Sequence, residues 1–150
     1  MTRAFVWATL VAGTLDISYA AIMSSIYGRG PAAMLRYVAS GPFPAATEMG
    51  LAGSILGLIV HFSLMAVMAA VFLYVVRSRP SLLADPIQAG VAYGLVTYAV
   101  MNWIVVPLRF DVPLPPKPIS IASQLFAHIV LVGIPISMVA AKMLRPRAIA

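Results

Sequence analysis

Four long blocks of apolar residues make up most of the chain. They run from about Ala4 to Tyr27, from Met49 to Val76, from Ile87 to Leu108 and from about Ile119 to Ala141. At about 1.5 Å per residue, each block is long enough to cross a hydrocarbon core of about 30 Å as a helix. Because backbone groups inside a bilayer must be paired within their own segment, the pattern predicts an all-α integral membrane protein, a bundle of four transmembrane helices.

The connections between the blocks contain the residues that end helices. Arg77-Ser78-Arg79-Pro80 follows the second block, Asp85-Pro86 precedes the third, and the stretch from Pro107 to Pro118 contains five prolines. Proline fixes its own backbone and restricts the residue before it, so this last stretch predicts a stiff, extended connection. With connections this short, the four helices use nearly all of residues 1–150, which predicts a single transmembrane domain.

The longest connection, residues 28–50, predicts a short helix of its own. Pro31 stands at a suitable first helical position and Gly41 follows the last helical residue. The apolar Met34, Leu35 and Val38 alternate with Arg36 in the manner of a helix that lies in the membrane interface.

Composition supports a lipid environment. The chain is 62% apolar and only 9% charged, whereas soluble domains are about a quarter charged. The net charge of +6 does not indicate a nucleic-acid partner, because the basic residues are scattered at the ends of the apolar blocks, where they contact lipid phosphates. Cysteine is absent, so this chain holds no disulfide and no iron–sulfur cluster.

The basic residues also predict an orientation. Six lie on the side of both termini, namely Arg3, Arg77, Arg79, Lys142, Arg145 and Arg147. Four lie on the opposite side, namely Arg29, Arg36, Arg109 and Lys117. Cytoplasmic loops are enriched in Lys and Arg, so we expect both termini in the cytoplasm.

The first block has a second interpretation as a cleavable signal peptide, because Ser18-Tyr19-Ala20 resembles a cleavage site. However, Asp16 interrupts the apolar region, and the block continues past the supposed cut. We therefore expect the first helix to be retained.

Five polar residues lie within the predicted helices: Asp16, His61, Asn102, Gln124 and His128. Such residues are costly in lipid and face the interior of a bundle. Counted from the helix ends, Asp16, His61 and His128 come within about one turn of the same depth, and Asn102 lies nearer the far surface. The sequence predicts one intramembrane polar layer in the outer half of the membrane.

Small residues accompany these polar ones at a spacing of four, on the predicted interior faces of the helices. Such positions let helix backbones approach closely, and we assign this packing role to Gly53, Gly57, Gly90 and Gly94. In the fourth helix, Gly133 and Pro135 follow His128 and predict a kink, which is either a fixed shape or a hinge.

The polar layer has several interpretations. It holds the helices in register by hydrogen bonds, or it moves protons through Asp16, His61 and His128, or the two histidines ligate haem b. A metal site of two His and one Asp lacks any fixed spacing, and no cofactor or metal is predicted. Phosphate loops, GxSxG, HExxH and paired acids at catalytic spacing are missing from the sequence, so it is not predicted to be an enzyme.

Several segments together resemble a known family. They are Ala12-Gly13-Thr14-Leu15-Asp16, Val38-Ala39-Ser40-Gly41, the segment Leu56 to Phe62, Tyr98-Ala99-Val100-Met101-Asn102, and Ala127-His128 through Gly133-Ile134-Pro135. On these segments it resembles a family of small, uncharacterised four-helix inner-membrane proteins of bacteria, and the resemblance spans nearly all of the chain. The resemblance implies the four-helix fold and a bacterial cytoplasmic membrane, and it implies no activity.

The leading functional hypothesis from the sequence is a non-enzymatic accessory or assembly subunit that packs against other membrane proteins. It follows from the small size, the minimal loops and the missing catalytic motifs. The alternatives are a small transporter or proton-coupled channel that uses the Asp/His layer, and a bis-His haem protein.

Overall fold

The structure is a computed structural model that describes residues 1–145, and all regular structure in that range is helical. Its helices are, in order, α1 (Thr2–Ile26), α2 (Pro31–Ser40), α3 (Gly50–Ser78), α4 (Pro86–Phe110) and α5 (Pro118–Leu144). Single 3₁₀ turns at Pro44–Glu48 and Pro80–Leu83 lead into α3 and α4. All but α2 are long and apolar enough to cross a membrane, which confirms the prediction of four long apolar helices in an all-helical chain. Arg147, used above for orientation, lies outside the described residues.

The long helices alternate in direction, so the bundle has two different ends. One end carries both helix α2 and the extended connection from 111 to 117, and we call it the α2 end. The other, the terminal end, carries Thr2, Leu144 and the turn between α3 and α4. Helix α1 packs against both α3 and α5, and α4 packs along α5. Residues of α1 can therefore meet residues of both α3 and α5.

The packed apolar core lies toward the terminal end. Helix α1 contributes Ala4, Ala8 and Ala12, one turn apart and essentially inaccessible. Larger side chains fill the space against them, among them Met65, Phe72, Val132 and Ile136 from α3 and α5. Small and large residues alternate there and pack closely. These side chains are almost inaccessible to solvent, so we call this half of the bundle the dry core.

The closest helix contact joins α4 to α5 at glycines. A Cβ atom added to Gly94 would lie 2.5 Å from Ile129 Cα and 2.6 Å from the carbonyl oxygen of His128, and one added to Gly133 would lie 2.2 Å from the carbonyl oxygen of Gly90. These neighbours are backbone atoms that no rotamer change can move. The two helices therefore approach at a distance that only glycine permits, which is how small residues join membrane helices.

Two prolines lie inside long helices without ending them. Pro107 follows a π-helical turn at Met101–Val105, and Pro135 follows a π-helical turn at Ala127–Gly133. Proline lacks an N–H, and its ring collides with the carbonyl four residues earlier, so the wider π turn gives the ring room. Helix α4 accordingly continues to Phe110, past the end predicted at Leu108. At Pro135 the predicted kink takes the form of a wide turn in a continuous helix.

Helix α2 packs tightly against the first turns of α3. A Cβ atom at Gly57 would lie 1.9 Å from the carbonyl oxygen of Leu35, and one at Gly53 would lie 2.2 Å from the carbonyl oxygen of Ala46. The sequence placed both glycines on a face shared with the other long helices, whereas in the structure they receive the connection between α1 and α3. The pattern of glycines shows that a backbone comes close, and it does not show which one.

Arg109 fastens the other end of α2. Its guanidinium donates to the carbonyl oxygens of Ser40, at 2.6 Å, and of Gly41, which are free because α2 ends there. Tyr37 of α2 stacks on Phe110, with ring centroids 4.7 Å apart. Helix α2 is thereby tied to both α3 and the end of α4.

The glycine contact predicts a specific loss of stability. We expect Gly94→Ala to lower the free energy of unfolding in detergent by about 1–3 kcal/mol, because the new methyl group meets fixed backbone. The matched control is Leu95→Ala, since Leu95 is 46% exposed on the next position of the same helix and should change the stability little. Equal melting temperatures for Gly94→Ala and the parent protein would contradict the contact.

Candidate functional site

A polar layer lies one helical turn beyond the dry core. Asp16 follows the buried Ala12 by four residues on α1, and His61 and His128 precede the buried Met65 and Val132 by four residues on α3 and α5. Residues four apart lie on the same face of a helix, so the faces that build the core also converge here. The structure places the Asp16 carboxyl group 3.9 Å from the His61 imidazole, and Asp16 and His128 line the same cleft.

His61 is fixed in one orientation by α1. Its Nε2 lies 2.9 Å from the carbonyl oxygen of Gly13, so this nitrogen carries a proton and donates it. The other nitrogen, Nδ1, then faces the Asp16 carboxyl group, with Oδ2 3.9 Å away. This distance is too long for a direct hydrogen bond, so the two side chains lie side by side without a direct link.

His128 is fixed in the opposite tautomer. Its Nδ1 donates to the carbonyl oxygen of Gln124 at 3.0 Å, one turn earlier on α5, which leaves Nε2 as the unprotonated nitrogen of the neutral ring. This ring packs nearly perpendicular to the ring of Tyr98 of α4, with centroids 6.1 Å apart. The π turn that begins at Ala127 includes His128, and such turns occur often at functional sites.

A cleft of about 970 Å³ opens from the α2 end down to this layer. It lies between α1, α2 and the first half of α5, and Asp16, Gln124 and His128 line its floor. His61 does not line it, because α1 separates His61 from the open side. The volume is in the range of small-molecule sites.

The walls of the cleft carry hydroxyl groups. Tyr19 and Ser123 join α1 to α5 by a hydrogen bond of 2.8 Å, and Ser24, Tyr27 and Ser120 lie nearer the opening. Tyr19 lies three residues after Asp16, a spacing that places both on one face of α1. That spacing could have identified Tyr19 from the sequence. Ser123 had no such signal.

Basic residues surround the opening. Arg29, Arg36 and Lys117 line the cleft at the α2 end. Within residues 1–145, no Lys or Arg lies within ion-pair distance of a carboxylate, so these three charges have no protein partner there. The sequence pattern assigned these residues only to one side of the membrane. It did not predict that they lie close together, because they come from three separate segments.

Asn102 stays outside the polar layer. Its side-chain amide donates to the carbonyl oxygen of Tyr98 on its own helix at 3.3 Å, and the residue is half-buried. Gln124 lies in the cleft, where its backbone carbonyl positions His128. The structure therefore brings four of the five predicted polar residues together around α1 and leaves Asn102 apart.

The arrangement does not fit the haem hypothesis. His61 Nε2 already donates to Gly13, and α1 packs between α3 and the turn of α5 that holds His128. The two imidazoles thus do not face each other across a gap that an iron porphyrin could occupy. Within residues 1–145, no group of three or more His, Asp or Glu residues is arranged to hold a metal ion.

Comparison of the chain with protein-family models, with curated proteins and with solved structures gave no match. The resemblance to a family of bacterial inner-membrane proteins accordingly stays a prediction.

Proposed function

We propose that the chain is a multi-pass protein of the bacterial cytoplasmic membrane, with four transmembrane helices and both termini in the cytoplasm. Support comes from the four long apolar helices and from the large apolar side chains that cover their outer faces, such as Ile22, Leu51 and Val67. The α2 end then lies on the outer side, with α2 in the membrane interface and the cleft open to the exterior.

Within this membrane, the protein acts as a non-enzymatic accessory component that binds a ligand in the cleft. The observation that carries this proposal is the cleft itself, which has hydroxyl groups in its walls, Asp16 and His128 at its floor, and an opening at the α2 end. A concave site of this size with a few converging polar groups is typical of ligand binding. Other membrane proteins are the proposed partners of its apolar outer faces, as expected for a small chain with short connections.

Single-cysteine variants test the orientation and the open cleft together, because the chain contains no cysteine. We expect Ser123→Cys, in the cleft wall, to react with a membrane-impermeant maleimide added to intact cells. Ser81→Cys, in the turn at the terminal end, should react only after the membrane is opened.

Ile55→Cys is the matched control at similar depth, because Ile55 is exposed on α3 and lies six residues from His61 toward the α2 end. It should stay unlabelled until the membrane is dissolved, since lipid keeps the thiol protonated. Labelling of Ser81→Cys from outside would reverse the orientation. A Ser123→Cys that reacts from neither side would exclude a water-accessible cleft.

The pair of Asp16 and His61 supports a second candidate function, proton-coupled transport. The carboxyl group and the imidazole lie 3.9 Å apart, with the carboxyl group at the floor of the cleft and the imidazole outside its lining. The dry core beyond them, including Ala12, Val132 and Ile136, means that a substrate would cross only after a change of conformation. Gly133 and Pro135 are the proposed position of that change.

A flux assay tests this candidate. Protein in liposomes that contain a pH-sensitive dye should pass protons at a rate that Asp16→Asn reduces to that of empty liposomes, because the amide cannot take up a proton. Asp111→Asn is the control, since it removes the same charge at the exposed α2 end, where the left-handed backbone also suits asparagine. Equal proton fluxes for Asp16→Asn and Asp111→Asn would exclude Asp16 as a proton carrier.

A further inference from the structure

Basic and acidic side chains lie at opposite ends of the cleft. The three basic side chains at the opening are Arg29, Arg36 and Lys117, and the acidic side chain at the floor is Asp16. The 11 residues of α1 from Asp16 to Tyr27 correspond to about 16 Å at helical rise. An anion at the opening therefore meets three cations and stays well away from the carboxyl group.

The three basic residues at the opening differ from Arg109, the fourth basic residue at the α2 end. Arg109 uses its guanidinium to fasten the end of α2 through the carbonyl oxygens of Ser40 and Gly41. Arg29, Arg36 and Lys117 have no carboxylate within ion-pair distance in the part of the chain that the structure describes. Three uncompensated cations around one concave opening attract anions and hold them.

The interior of the cleft favours a ligand with hydroxyl groups. Tyr19, Ser24 and Ser123 offer hydroxyl groups that donate or accept, and the Asp16 carboxyl group and His128 Nε2 accept at the floor. Met23 and Met34 add flexible apolar contacts on the α1 and α2 sides. Such a surface does not suit a purely hydrocarbon chain, because the polar groups of the floor and walls would lose water without gaining partners.

We propose that the cleft binds an organic anion of the phosphate or carboxylate class, whose charge lies among Arg29, Arg36 and Lys117 and whose hydroxyl-bearing body extends into the cleft toward the hydroxyl groups of Ser24 and Ser120. The inference rests on the proposed function, since it needs an open cleft that binds ligands. A phosphate that carries a glycerol group has this chemistry. Such a group is present both in the head of an anionic phospholipid and in a free polyol phosphate.

Binding to the purified, delipidated protein in non-ionic detergent tests the proposal, with native mass spectrometry as the readout. The probes are short-chain phosphatidylglycerol, phosphatidylcholine with the same chains, and free glycerol 3-phosphate. We expect phosphatidylglycerol to bind at least about tenfold more tightly than phosphatidylcholine, because the choline cation is repelled by the basic opening.

Two double variants each remove two basic side chains, one pair at the cleft opening and one pair at the terminal end. Arg29→Gln with Lys117→Gln should weaken phosphatidylglycerol binding about 30-fold, from the usual contribution of two basic groups to anionic lipid binding. Arg77→Gln with Arg79→Gln removes the same charge at the terminal end and should leave binding unchanged. All four side chains are exposed, so folding is preserved in both variants.

The probes also identify the source of the anion. If glycerol 3-phosphate displaces phosphatidylglycerol, the ligand is a free phosphate; if it does not, the ligand is a lipid head group. Equal binding of phosphatidylcholine and phosphatidylglycerol, or equal loss in the two charge variants, would overturn the proposal. These outcomes are independent of the cysteine labelling. If Ser123→Cys is labelled but the Arg29 and Lys117 changes do not affect lipid binding, the cleft is open and the proposal that it binds an anion is wrong.

Discussion

The approach of α4 to α5 through glycine is the constraint on which the rest of the structure depends. Gly94 lies against the backbone at His128 and Ile129, and Gly133 lies against the backbone at Gly90. This contact fixes the rotation of α5 about its axis. It also spans the π turn Ala127–Gly133, which gives Pro135 room and includes His128 at the floor of the cleft. Packing, helix geometry and the candidate site therefore share the same few residues.

The polar layer lies at a boundary between two kinds of interior. Toward the terminal end, alanines of α1 and large side chains of α3 and α5 exclude water. Toward the α2 end, the helices diverge around the cleft, and α2 covers part of the opening while it packs on Gly53 and Gly57. An ionisable side chain is least costly where water can reach one side and backbone carbonyls hold the other. His128 has this position, because it lines the cleft and donates to the Gln124 carbonyl oxygen. Asp16 lines the cleft beside it, and His61, which is bonded to the Gly13 carbonyl oxygen, lies just behind Asp16.

The sequence predicted the helices well because a simple rule of length and hydrophobicity identifies long apolar helices. All four long helices lie within three residues of their predicted bounds, and the short helix begins at Pro31 and ends before Gly41 as the pattern indicates. Helical depth also brought Asp16, His61 and His128 to one level, because rise per residue is the same in every helix.

The rest depended on information that a single helix does not contain. The spacing of four residues between Gly53, Gly57 and His61 indicates that Gly57 faces another backbone. Its partner is Leu35 of α2, and this depends on how the connection between α1 and α3 folds back onto α3. Likewise, Asn102 shares a face with Gly94 and Tyr98, yet its amide bonds to its own helix. The basic opening joins Arg29, Arg36 and Lys117 from three segments, so only the tertiary structure shows that they surround one cleft.

Chemical modification of the two histidines tests most directly whether the cleft is built in this way. His128 lines the cleft and keeps Nε2 unprotonated, whereas His61 lies behind α1 with Nε2 bonded to Gly13. Diethyl pyrocarbonate attacks an unprotonated imidazole nitrogen, so peptide mass spectrometry of the treated, folded protein should find His128 modified and His61 protected. Equal modification of both histidines, or preferential modification of His61, would contradict the described arrangement of α1, the polar layer and the cleft.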